Sequence, residues 1–145
     1  MLRINKDCFI NEDDIEMICE YTGKPLLEFV RTAKKEGRLR EVRGKNGLKT
    51  AFFLKEGYIF LAPFTVDTYL KRCDESAYFQ AGGIYLKKSA VREISTKLNA
   101  GHQREIKKAK EEKRFLNLTK NKKTSHYFFM WSGRIYSVHA KIALD

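Results

Sequence analysis

The chain has 145 residues, of which 43% are hydrophobic and 12% aromatic, enough apolar material for a packed core and too much for a disordered tail. Its 29 Lys and Arg against 18 Asp and Glu leave a formal net charge of +11, a balance that favours polyanionic partners. No segment approaches the roughly 18 uninterrupted apolar residues of a membrane-spanning helix.

Taken in order, Met1–Asp7 contains no apolar leader core, so the reading expects a cytoplasmic protein without secretion. Cys8, Cys19 and Cys73 form no CxxC pair and are read as reduced thiols, with neither a disulfide framework nor a zinc site. Asp14–Glu20 fits either a strand or a short amphipathic helix, and the second option would make residues 12–36 a helix-turn-helix. A helix follows, with Pro25 in its first turn, Leu26, Leu27, Val30 and Ala33 at helical spacing, and Gly37 as its stop. A strand is predicted at Leu39–Val42, then a basic loop from Arg43 to Lys49 that includes Lys45. Ala51–Leu54 and Tyr58–Leu61 flank Lys55-Glu56-Gly57 as a hairpin. Residues 73–83 are read as a linker, on Asp74-Glu75-Ser76 and Gly82-Gly83.

The pattern then recurs. An offset of 76 residues aligns 8–69 with 84–145 without a gap, and nine of the 62 pairs are identical. The apolar positions match in order, Gly57 falls on Gly133, and Phe52-Phe53 falls on Phe128-Phe129. A more polar helix is predicted near His102–Lys113, a strand at Phe115–Leu118, a lysine loop at 119–123 and a second aromatic hairpin at 127–137. The fold class is therefore α+β, as two tandem copies of one small module, residues 1–72 and 84–145. Modules this small bury little surface alone, so they are expected to pack together or self-associate.

Residues 1–72 resemble the RemA/RemB family of extracellular-matrix regulators, closest to the RemB branch. The resemblance rests on Ile15-Glu16-Met17-Ile18, on Glu28 to Gly37, on Lys49-Thr50-Ala51-Phe52-Phe53-Leu54, and on Tyr58 to Pro63 leading to Thr68–Arg72. It implies a strand at the ambiguous start, hence β-β-α-β-β-β modules. It also implies DNA-binding transcriptional regulators that assemble into rings, with basic loops facing the DNA. The family's basic loop pair falls near Lys45-Asn46, so Lys45 alone carries over by match. Where the family has a further arginine in the first turn, this chain has Asp13-Asp14.

Charge points the same way as that departure. Residues 1–72 carry 14 basic and 11 acidic side chains, net +3, and residues 73–145 carry 15 and 7, net +8. The second copy is accordingly expected to make the main phosphate contacts, through Lys120, Lys122 and Lys123 in its loop and Lys87 and Lys88 in its first turn, with Lys45 and Arg43 contributing from the first. Arg104, Lys107, Lys108, Lys110 and Lys113, interrupted by Glu111 and Glu112, read as a solvated helix face. Trp131, Tyr136 and His126 are candidates for stacking on unpaired bases, against the favoured reading that such residues fill a core or a subunit interface. His102, His126 and His139 lack metal-ligand spacing, and no nucleophile motif or phosphate-binding glycine loop is present. The expectation is a duplex-DNA-binding regulator with no catalysis, cofactor, metal or membrane contact. The rival readings are a module for an acidic protein partner, for instance of a mobile element, and an RNA or single-strand binder.

Overall fold

Buried, exposed, buried is the sequence of environments along Leu2-Arg3-Ile4, the two-residue period of a half-covered strand. This is β1 (Leu2–Asn5), which hairpins onto β2 (Cys8–Ile10). The computed structural model describes residues 1–144. After a single 3-10 turn at Glu12–Asp14, capped by the Asn11 side chain, the chain enters β3 (Ile15–Glu20). The ambiguous start is thus strand. Helix α1 (Lys24–Lys35) has Pro25 in its first turn and buries Leu26, Val30 and Ala33. Then come β4 (Leu39–Glu41), β5 (Thr50–Leu54), β6 (Ile59–Ala62) and the short α2 (Val66–Leu70).

The second half contains β7 (Tyr78–Ala81), β8 (Ile84–Lys87), β9 (Val91–Ser95), α3 (Ala100–Glu111), β10 (Phe115–Asn117), β11 (His126–Met130) and β12 (Ile135–Val138). Two expectations change here. Three strands, not two, precede the long helix in each half, and residues 78–81 of the expected linker are strand β7, paired with β8. Short strands beginning at Leu2 and Tyr78 carry too few residues for their alternation to stand out. Helix α3 starts two residues ahead of the reading because Asn99 and His102 form a reciprocal cap.

The α+β fold has three sheets: β1-β2; β10-β12-β11-β9; and β4-β6-β5-β3-β8-β7. In the last, the hairpin β7-β8 from the second half completes the sheet of the first, with β8 antiparallel to β3. One apolar cluster accordingly takes Met17, Phe53 and Val30 from the first half and Leu86, Phe128 and Val138 from the second. The halves share a core, so neither closes alone.

Each three-stranded run is held at its turn by an arginine. Arg38 donates to the Gly57 carbonyl while Glu36 holds its other edge, and Arg114 does the same with Gly133 and Glu112. Gly57 and Gly133 both have φ near +94°, where a side chain would be strained.

Across the halves the decisive contact is polar. Glu16 on β3 is fully buried, and its carboxylate accepts from the Ser132 hydroxyl at 2.5 Å, the Tyr136 hydroxyl at 2.6 Å and Arg134 Nη1 at 3.2 Å. Arg134 also donates to the Leu54 carbonyl at 2.9 Å and lies over the Phe53 ring. Burial, reinforced by the Glu16 charge, pushes the Tyr136 hydroxyl well above its ordinary range, so it stays a donor. Burial disfavours the Arg134 charge, but the Glu16 carboxylate outweighs it and holds the guanidinium above its usual value. Arg134→Met strands the carboxylate without a cation, and urea unfolding is expected to show a loss of about 3–5 kcal/mol. The double change Glu16→Leu with Arg134→Met recovers much of that loss if the penalty is the unpaired charge.

Candidate nucleic-acid interface

The β1-β2 hairpin is tied down by α2. The Tyr69 hydroxyl donates to the Ile4 carbonyl at 3.0 Å, and Arg72 just beyond α2 donates to the Arg3 carbonyl at 2.8 Å. These bonds bring the N-terminal strand, the 43–49 loop and the 63–65 turn around one open cleft of about 650 Å³. Six cationic side chains line it, Arg3, Lys6, Arg43, Lys45, Lys49 and Arg72, and no acidic one does. Arg43 is paired with Glu41 at 2.5 Å. Among the described residues the other five have no acidic partner within 4.0 Å.

Like charges gathered on separate elements raise each other's energy in the free protein and are relieved by a bound polyanion. The loop is seated closely: a Cβ on Gly44 would come within 2.6 Å of the Pro63 side chain. Phe64, 41% exposed, forms part of the wall, with the Arg72 guanidinium 5.1 Å from its ring centre.

Of the residues singled out from sequence, Arg43 and Lys45 belong to this cleft. Lys120, Lys122 and Lys123 are exposed on a tight turn in which Lys120 and Asn121 have positive φ. Asn117 pins that turn by accepting from the Thr119 amide and hydroxyl, and the Lys123 carbonyl meets His139. Lys88 is exposed, 5.5 Å above the Phe79 ring. Lys87 is a correction. Its side chain is buried over Tyr78, and its ammonium donates to the Glu12 carbonyl at 3.2 Å, so it joins the halves instead of facing solvent.

Tyr136 is a core residue in the Glu16 cluster, unavailable for stacking on a base. His126 is half-buried, its Nδ1 2.8 Å from the Ser125 hydroxyl. Trp131, 69% exposed at the β11-β12 turn, keeps a free face. Arg104, Lys107, Lys108, Lys110 and Lys113 stand exposed around buried Ile106 and Ala109, as the amphipathic spacing indicates. Sequence reasoning missed Arg3, Lys6, Lys49, Phe64 and Arg72 as site residues. Lys49 closes the basic loop predicted over Arg43–Lys49 but was not singled out in it, and for Arg3 the signal was the alternation in Leu2-Arg3-Ile4, which covers a single period.

Burial pushes the Cys19 thiol up to about 12 and the Cys73 thiol to about 11, so both are poor nucleophiles near neutrality. Among the described residues no group of three or more His, Cys, Asp or Glu is placed to hold a metal. No helix of the described residues is long and apolar enough to cross a membrane. Compared with known proteins, the chain matches no protein-family model and no curated protein sequence.

The different settings of the lysines are open to chemical test. Limited acylation read by mass spectrometry is expected to modify Lys88, Lys120, Lys122 and Lys123 well before Lys87. Equal reactivity at Lys87 would put its ammonium in water.

Proposed function

We propose that the chain is a non-enzymatic duplex-DNA-binding protein that grips the phosphate backbone through the cleft of its first half. The observation that carries this reading is the gathering of five cations without acidic partners around one concave surface. Lysine and arginine in such a setting release counterions on binding and give affinity with little sequence choice. The exposed loop of Lys120, Lys122 and Lys123 is a second, smaller phosphate surface.

We also read the chain as one β-β-β-α-β-β-β unit used twice. In support, every strand and long helix of the second half begins 76 residues after its counterpart in the first. The sheet orders β4-β6-β5-β3 and β10-β12-β11-β9 agree, as do the strand directions within them. The resemblance of residues 1–72 to the RemA/RemB regulators adds transcriptional control as the biological setting. Phe64 and its stacked Arg72 favour a second reading, a single-strand binder, since an exposed ring accepts any base.

Five phosphate contacts imply that log K against log salt has a slope of about −4 to −5, at roughly 0.9 per phosphate. Changing Lys6, Lys45 and Lys49 to Ala is expected to make that slope shallower by about 3 and to weaken binding equally on any sequence. The same change at Lys120, Lys122 and Lys123 has the smaller effect if the cleft is the main surface, and the larger one if the lysine loop is. Competition between duplex and single-stranded oligonucleotides separates the two nucleic-acid readings. Absence of binding to either at low salt leaves an acidic protein as the partner.

A further inference from the structure

Phe64 is the exposed ring of the cleft, and its backbone is held at both ends by side chains. Its amide donates to the Tyr69 hydroxyl at 3.3 Å, and its carbonyl accepts from the buried Thr50 hydroxyl at 2.7 Å. The same Tyr69 hydroxyl donates onward to Ile4. On one side of Phe64 the buried Pro63 packs on Gly44, and on the other Thr65 caps α2 through the Thr68 amide. The ring therefore stands on a fixed pedestal.

Helix capping accounts for part of this seat. A hydrophobic residue just ahead of a cap commonly packs on the fourth helical residue, and Phe64 meets Tyr69 in that way, ring centres 6.0 Å apart. The Arg72 guanidinium adds a second contact, 5.1 Å from the ring centre. Neither contact requires an open ring, yet Phe64 stays 41% exposed on the cleft wall. At the matching place 76 residues on stands Ala140, half-buried against Gly82, so the first half alone carries the ring.

Cations from three separate elements surround Phe64, and they serve no apolar ligand. An exposed ring, for its part, adds nothing to the capture of a bare anion. What uses both is a polyanion with flat apolar faces, which is a nucleic acid. In a duplex those faces are stacked on one another, so a fixed ring reaches them only by opening a base step. The minor groove, only about 6 Å wide, brings phosphates of both strands within reach of cations placed around one ring.

We propose that Phe64 is a wedge that enters one base step of the bound duplex from the minor groove and kinks it, while the surrounding cations hold the flanking phosphates. This rests on the reading of the cleft as a duplex-binding surface and adds how that surface meets the bases. Base steps differ in what opening them costs, and pyrimidine–purine steps open most easily. The wedge thereby gives the protein a preference among sequences that its phosphate contacts lack, without a hydrogen bond to any base.

The test uses the full chain and a duplex of about 20 base pairs whose one pyrimidine–purine step is a central TA. One version carries a dye pair at its ends for energy transfer, and another carries 2-aminopurine at the step. The wild type is expected to shorten the end-to-end distance as a kink of about 20–90° requires, and to raise the 2-aminopurine fluorescence. It is also expected to bind this duplex about tenfold more tightly than one of equal composition with no pyrimidine–purine step. Phe64→Ala, shown to be folded by circular dichroism, keeps the salt slope within about one unit and loses all three effects. Phe64→Leu, still an apolar wedge, keeps most of them.

Binding with the expected salt slope to a duplex that stays straight and stacked overturns the wedge and leaves the cleft reading in place. So does a distortion that Phe64→Ala preserves. If Phe64→Ala weakens binding to single strands alone, the ring stacks on an unpaired base and the wedge is overturned. If no duplex binds even at low salt, the cleft reading itself falls and takes the wedge with it.

Discussion

The Glu16 carboxylate is removed from water and held by three donors, all between residues 132 and 136 of the other half. A buried charge is tolerated only where its partners are in place, so this one contact fixes how the halves sit on each other. The junction of β8 with β3 runs beside it, and the shared apolar cluster closes over both. Apolar packing alone would allow the two sheets to slide. A carboxylate that must find both a guanidinium and a phenol hydroxyl does not.

Much of this architecture was legible in the sequence, and what was legible has a common cause. The hairpins β5-β6 and β11-β12 announce themselves through aromatic and β-branched density around a glycine. Helix α1 does so through Pro25 and its apolar spacing. Strands β1 and β7 are four residues long and carry no such density, so the second was taken for part of a linker. The Glu16 cluster was invisible for a different reason. A single Glu in an apolar run reads as a strand residue that happens to face solvent, and nothing local to residue 134 or 136 says which carboxylate it will find.

Three of the identities between the halves belong to one structural device. Glu36 with Glu112, Arg38 with Arg114 and Gly57 with Gly133 are preserved at matching positions. They make the same carbonyl clamp at the same turn in both halves. The difference in net charge was a poorer guide. Residues 73–145 hold the larger excess, yet their Lys87 and Arg134 are consumed inside the molecule by Glu12 and Glu16. In the nearly balanced first half, six of the fourteen bases line the cleft and none of its acids does. Summed charge measures a segment, whereas a ligand feels the arrangement.

The span of the Glu16 contacts, 116 to 120 residues along the chain, has a consequence for how the protein is made. During synthesis β3 leaves the ribosome long before β8 and β12 exist. Its edge has no partner then, and its carboxylate remains hydrated because burying it would cost more than the local packing returns. The first half is thereby kept from closing prematurely, and native order arrives in one late, cooperative step once the second half has emerged. Contacts this distant in sequence make that step slow compared with local helix formation. Over that interval the β3 edge, later the most protected in the molecule, is the surface most in need of a chaperone.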